Sequence, residues 1–119
     1  MDLAQKLGIK GGQTVYVGNA PEGFALDLPD EARLADDVLS AGAVLVFVRD
    51  SSELAAHAGS FVDAARRDAI AYVAYPKGAQ LGTDLNRDVI WRILNAKGIR
   101  PVRQIAIDDV WSALRFRPQ

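Results

Sequence analysis

The sequence predicts an α/β fold, and three of its features carry that expectation. Ala43-Val44-Leu45-Val46-Phe47-Val48 is apolar without interruption. A strand with no polar side must be covered on both faces, as in the centre of a parallel sheet. Apolar residues recur at helical spacing on either side of the next strand-like run: Leu54, Ala58, Phe61, Val62 and Ala65 before it, then Leu85, Val89, Ile90, Ile93 and Leu94 after it. Two final strand-like stretches, Pro101 to Ile107 and Val110 to Phe116, are joined by Asp108-Asp109, which reads as a hairpin at one edge of the sheet. With right-handed crossovers, this order builds a three-layer, Rossmann-like sandwich: a mostly parallel sheet with a C-terminal antiparallel hairpin.

The remaining elements follow in order. Residues 1–119 are read as one domain, because 119 residues with 50% apolar content suit one core and no repeat or linker interrupts them. Thr14 to Gly18 is a short β-branched strand after the turn pair Gly11-Gly12. Pro21 and Glu22 suit the first turn of a short helix reaching Leu28, which Pro29 stops. Arg33 to Ala35 reads as a short strand and Asp36 to Ala41 as a helical turn. Asp50 and Glu53, three residues apart, open the helix that runs to Asp68. Ala69 to Tyr75 forms the next buried strand and ends at Pro76-Lys77-Gly78. Thr83 is placed to cap the second long helix, and Gly98 to end it.

Composition excludes several classes of chemistry. The chain has no cysteine, which removes disulfides, thiolate nucleophiles and cysteine zinc sites and fits a reducing compartment. It has one histidine, so serine–histidine chemistry would rest on His57 alone, and no metal site is expected. No basic segment followed by an apolar run opens the sequence, and no stretch has the length to span a bilayer, so the expected setting is cytoplasmic, with no membrane partner. A formal net charge of −1 gives no global field favouring nucleic acid, which is not expected as a partner. The charge is uneven, however. From Arg87 onward Arg92, Lys97, Arg100, Arg103, Arg115 and Arg117 dominate, whereas Glu22 to Asp37 is mostly acidic. This reads first as a solvated surface of mixed sign and second as a phosphate-binding face.

Ligands of open α/β sheets bind outside the carboxyl ends of the strands, near the switch in strand order. Three segments fall there. Asn19-Ala20-Pro21-Glu22-Gly23 either presents backbone N–H groups to an anion at a helix start or is a plain turn that Asn19 caps and Gly23 relaxes. Arg49 and Asp50 follow the central strand; Asp50 reads as a helix cap, while Arg49 is either a ligand contact or the partner of Asp84 or Asp88. Lys77, with Thr83 and Asp84 beyond it, has the residue types of a phosphate or carboxylate grip, set against a solvated surface lysine. His57 reads as a surface histidine. Trp91, Trp111 and Phe116 read as packing residues, with any exposed aromatic among them a candidate dimer contact.

The order of elements and the closing segment Trp111-Ser112-Ala113-Leu114-Arg115-Phe116 resemble a trimmed class I S-adenosylmethionine-dependent methyltransferase domain. That likeness implies S-adenosylmethionine against the Gly18-to-Gly23 loop and its ribose on Asp36 or Asp37, with Asn19 or Arg49 near the reacting group. Pro21 departs from the glycine-rich pattern of that loop. Lys6-Leu7-Gly8-Ile9-Lys10, Asn19 to Gly23, Phe47-Val48-Arg49-Asp50, Ala74-Tyr75-Pro76-Lys77, Thr83 to Val89 and Trp111 to Phe116 look like the recurring segments of a family of small uncharacterised bacterial proteins, a domain of unknown function. The functional expectation is a non-catalytic module that binds a small anionic or nucleotide-like ligand or a protein partner at its strand-end loops. The alternatives are a diverged methyltransferase-like enzyme and an interaction protein that forms a homodimer through a free sheet edge or its hairpin.

Overall fold

A computed structural model describes residues 2–119. The chain folds in the order α1 (Leu3–Leu7), β1 (Thr14–Gly18), β2 (Arg33–Leu34), β3 (Ala43–Phe47), α2 (Ser51–Arg66), β4 (Ile70–Pro76), α3 (Arg87–Asn95), β5 (Ile99–Ala106) and β6 (Trp111–Pro118). All six strands join one mixed sheet in the order β2-β1-β3-β4-β6-β5. β2, β1, β3 and β4 are mutually parallel, and β6 runs antiparallel to both β4 and β5. The hairpin lies at one edge of the sheet, as the sequence suggested. Its second strand is inserted against β4, and its first strand becomes the edge.

β3 is buried at every residue. Val44 and Val46 point to one face, where they pack with Leu54, Ala58 and Phe61 of α2, Ile90 and Leu94 of α3, and Leu114 and Phe116 of β6. Ala43, Leu45 and Phe47 point to the other, with Leu7, Ile9, Tyr72, Ile105 and Trp111. Both long helices lie on the first face for a topological reason. The crossovers β3-α2-β4 and β4-α3-β5 move across the sheet in the same direction, and right-handed connections then fall on the same side.

The second face is covered differently from the sequence expectation. The segment from Pro21 to Leu28 is not a helix; it consists of a turn and extended chain. Phe24, Leu26 and Leu28 are half-buried against the sheet while Ala25 and Asp27 are exposed. That alternation has the two-residue period of extended chain, and the short interval between Pro21 and Pro29 offers too few turns to offset helix nucleation. Phe24 meets Phe47 edge-on at 4.8 Å, and Phe47 meets Trp111 at 5.0 Å, so one aromatic row pins the loop, the central strand and the hairpin together. α1 supplies the rest of the cover. Asp2 accepts from the Gln5 N–H at 2.9 Å and Gln5 accepts from the Asp2 N–H at 3.1 Å, a reciprocal cap, and Gly8 closes the turn at φ 81°.

α3 also begins later than expected. Its cap is Asn86, whose side chain accepts from the Val89 N–H at 2.9 Å, and Thr83 instead accepts from the Leu85 N–H at 3.0 Å in the preceding turn. Leu85 and Ile90, flanking the Asn86 cap, are both buried in the same core and staple the chain entering the helix. The hairpin turn is as read from the sequence: the Asp108 carboxylate accepts from the N–H groups of Val110 and Trp111, both at 2.8 Å. Neither sheet edge invites another strand. β2 has two residues, and β5 carries Pro101 and a register shift between Pro101 and Arg103.

Phe24→Ala is expected to lower stability by about 2 kcal/mol, less than a fully buried phenylalanine would cost because Phe24 is half-exposed. Urea unfolding measures that loss, and limited proteolysis should cut first between residues 19 and 32. An unchanged midpoint would mean that the aromatic row does not hold the segment down.

Candidate functional site

The chain leaves β1 toward β2 on one side and then continues through β3 on the other, so the switch in strand order lies between β1 and β3. Asn19 and Arg49 stand at the carboxyl ends of these two strands. Asn19 adopts a left-handed backbone, φ 56°, which asparagine tolerates better than other non-glycine residues. Its side-chain amide donates to the Phe47 carbonyl at 2.8 Å and to Glu53 Oε1 at 2.9 Å, bridging β1 to β3 and to α2. Arg49 donates to Glu53 Oε2 through Nε at 3.0 Å and Nη2 at 2.8 Å, and its backbone N–H donates to Glu53 Oε1 at 2.8 Å. Glu53 thus gathers the switch point into one polar knot. The partner of Arg49 is neither Asp84 nor Asp88, because the i, i+4 spacing brings Glu53 back over Arg49 first.

The start of α2 is occupied by carboxylates of the chain itself. Asp50 caps the helix by accepting from the Glu53 N–H at 2.9 Å, as the spacing predicts. Asp84 reaches across from the loop before α3 and accepts from the Ser51 N–H at 2.8 Å and from the Ser51 hydroxyl. Such a helix start favours negative charge, and here Asp84 supplies it. The hydrogen bonds from Ser51 hold the Asp84 carboxyl below its ordinary range, side chain first and backbone second. The Arg49 side chain does the same to Glu53, helped by the Arg49 N–H and Asn19 against an opposing effect of partial burial. Glu53 in turn raises Arg49 through its hydrogen bonds and its charge.

On the opposite side of the sheet's carboxyl end lies a groove of about 420 Å³, lined by Leu3, the Pro21-to-Ala25 segment, Ile107, Asp108 and Trp111. Pro21 and Gly23 belong to this groove, not to the Arg49 knot. Gly23 has the left-handed φ of 82° that the turn requires, and a Cβ there would meet nothing within 4 Å. Lys77 follows β4 at the same carboxyl end, with its N–H donating to the Val110 carbonyl at 2.8 Å. The loop beyond it is strained: Ala79 and Leu81 hold φ values of 58° and 57° without being glycine. Gln80 ties this loop to the hairpin by donating to the Asp109 carbonyl at 3.0 Å.

The sequence-selected residues therefore all lie near the carboxyl end but divide into groups. Asn19, Arg49, Asp50 and Asp84, joined by Glu53 and by Ser51, surround the start of α2. Pro21 and Gly23 line the groove on the other face, and Lys77 and Thr83 flank the strained loop. Glu53 was legible as the capping partner of Asp50, but its grip on Arg49 and Asn19 depends on chain crossings that the sequence does not display. Asp36 and Asp37 follow β2 and are exposed, and Asp37 is engaged as acceptor from the Ser40 N–H at 2.9 Å. Among the described residues no group of three His, Cys, Asp or Glu is placed to hold a metal ion, and no helix is long and apolar enough to cross a membrane. No family model, no curated protein and no solved structure matches the chain.

Two expectations follow from this geometry. A carboxyl held low by its partners contributes stability that is complete above the ordinary glutamate range, ~4.3, and is lost as pH falls through its lower folded-state value. Glu53→Gln should therefore be less stable than wild type at neutral pH, and the gap should close as urea unfolding is repeated at successively lower acid pH. A gap that stays constant with pH would separate Glu53 from the acid response. Ala79→Gly should raise stability by about 0.5 kcal/mol, since relief of the left-handed strain exceeds the added entropy of the unfolded chain. Loss of stability in that variant would show that the loop is not strained.

Proposed function

We propose that the chain is a non-catalytic, Rossmann-like binding module that takes a small anionic or nucleotide-like ligand at the carboxyl ends of its parallel strands. The observation that carries this reading is Arg49. It stands at the switch between β1 and β3, and although it is bonded to Glu53 its side chain is 60% exposed. An exposed guanidinium preoriented by a carboxylate can turn a free N–H edge to an incoming oxyanion. The left-handed residues Asn19, Ala79 and Leu81 border the same end of the sheet, and local strain of that kind concentrates at binding loops.

A second reading, a diverged S-adenosylmethionine-dependent methyltransferase, is favoured by one feature: the closing hairpin, whose last strand runs antiparallel against the parallel set. In that reading the Gly18-to-Gly23 loop faces the cofactor and Asp36 or Asp37 its ribose.

Thermal shift and calorimetry with adenine and guanine nucleotides, S-adenosylmethionine and its demethylated product separate the two. A ligand at one hundred times its Kd stabilises the fold by about 2.7 kcal/mol, a displacement of the melting temperature by several degrees. Under the first reading a nucleotide gives that shift, and Arg49→Ala removes it. A shift with S-adenosylmethionine that survives Arg49→Ala and is lost in Asp36→Ala or Asp37→Ala supports the second. If no compound moves the transition at millimolar concentration, both readings fail.

A further inference from the structure

The sheet face opposite α2 and α3 carries a concentration of positive charge that its own fold neutralises only in part. Strand register sets Arg100 of β5 across from Arg117 of β6, and Arg103 across from Arg115. Like charges directly opposite one another on neighbouring strands are destabilising, so two consecutive pairs of this kind call for an explanation. The outer pair has one in the protein. Arg117 donates to both oxygens of Asp68, each at 3.0 Å, and the Arg100 Nε donates to the Pro118 carbonyl at 3.2 Å.

The inner pair has none. Neither Arg103 nor Arg115 belongs to an ion pair among the described residues. Arg115 Nε is buried without a hydrogen-bond partner, and so is the hydroxyl of Tyr72, the residue of β4 that faces Arg115 in register. Tyr72 is 1% exposed, and its ring lines the same small internal space as Leu7 and Ile9 beneath α1. Burial raises the Tyr72 hydroxyl above its ordinary range, and the charges of Arg103 and Arg115 oppose that rise. Unpaired buried donors are costly, and this fold keeps two of them, one on Arg115 itself, on residues that face each other across β4 and β6.

We infer that Arg103 and Arg115, with the Tyr72 hydroxyl between β4 and β6, form a binding site for a phosphate dianion, either inorganic phosphate or the terminal phosphate of a small phosphomonoester. Charge and size select this class. Two guanidiniums on adjacent strands are balanced by about two negative charges on one centre, which a phosphate near neutral pH carries and a single carboxylate does not. Phosphate also has enough oxygens to accept from both arginines and the hydroxyl together, and the planar donor set of arginine suits it. A nucleic-acid strand would need further free cations in line with this pair. The neighbouring Arg117 is instead committed to Asp68, and the chain as a whole carries a net charge of −1. The site is separate from the carboxyl-end loops and does not rest on the function proposed for them.

The experiment is calorimetric titration of the full chain with inorganic phosphate, glycerol 3-phosphate and a ten-residue oligothymidylate at matched ionic strength, repeated on Arg103→Ala, Tyr72→Phe and, as a distant control, Arg92→Ala. Saturable binding of either phosphate compound at one site is expected, about tenfold weaker in Arg103→Ala and weakened several-fold in Tyr72→Phe, with Arg92→Ala unchanged. Tighter binding of glycerol 3-phosphate than of inorganic phosphate would identify the monoester as the ligand class, and the reverse order the free anion. Without ligand, Arg103→Glu should melt about 2 °C higher than wild type, because it replaces a repulsive pair with an attractive one, and this keeps the charge argument testable where affinity is weak. The inference is overturned if phosphate binding is equal in wild type and Arg103→Ala, if neither phosphate compound binds, or if the oligonucleotide binds more tightly than both.

Discussion

The burial of β3 on both sides is the constraint on which the rest of the structure depends. Five consecutive residues, Ala43 to Phe47, have no polar side to offer water, so the chain must cover two faces of the sheet with limited length. One face is met conventionally, by the apolar stripes of α2 and α3 packing onto Val44, Val46 and their neighbours. The other is met economically, by a five-residue helix and an extended segment held through Phe24, Phe47 and Trp111. Because Trp111 opens β6, the same aromatic row also fixes where the hairpin enters the sheet. Removing β3's second cover would expose Leu45 and Phe47, and with them the contact that links the loop after β1 to the turn after β5.

That arrangement determines what each end of the sheet can do. At the carboxyl end, the segment following β1 is drawn over the second face and leaves Asn19 alone to bridge β1, β3 and α2. Polar groups there are satisfied internally: Glu53 takes Arg49 and Asn19, and Asp84 takes the first N–H of α2. A ligand entering this end competes with carboxylates already in place, which favours one that offers more than a single negative charge. Charge-assisted hydrogen bonds of this kind are strong where water is excluded and weaker where they are exposed, and Arg49 lies on the exposed side of that division.

Much of the fold was legible because its signals are local. The apolar run of β3, the helical spacing of α2 and α3 and the turn at Asp108-Asp109 each declare themselves within a few residues. The departures also have local causes that compete with stronger-looking ones. Pro21 and Pro29 resemble the two ends of a helix, yet Phe24, Leu26 and Leu28 alternate with exposed residues, and the two-residue period prevails because the interval is too short for a stable helix. Thr83 is a good cap by type, but Asn86 lies at the staple formed by Leu85 and Ile90 and takes the position. α1 was announced only by Asp2, Gln5 and Gly8, a cap and a stop with one helical turn between them. The site was legible as a set of positions at one end of the sheet, since strand order alone places them there. Their division between two faces was not, because it depends on which way the chain leaves β1.

The contrast between the carboxyl end and the open sheet face bears on how charge is distributed in this chain. Near α2 each of the carboxylates of Asp50, Glu53 and Asp84 has a donor. On the face formed by β4, β6 and β5, the bulge at Val102 brings Arg103 into line with Arg115 instead of turning it away, and neither arginine has an ion-pair partner among the described residues. A bulge that blunts an edge strand needs only to break its pairing. Here it also aligns two like charges beside a buried hydroxyl, a geometry that is unfavourable in the free protein and favourable with a dianion between them. The edge device and the cation pair are thus one feature of β5, and protection from strand addition alone does not account for it.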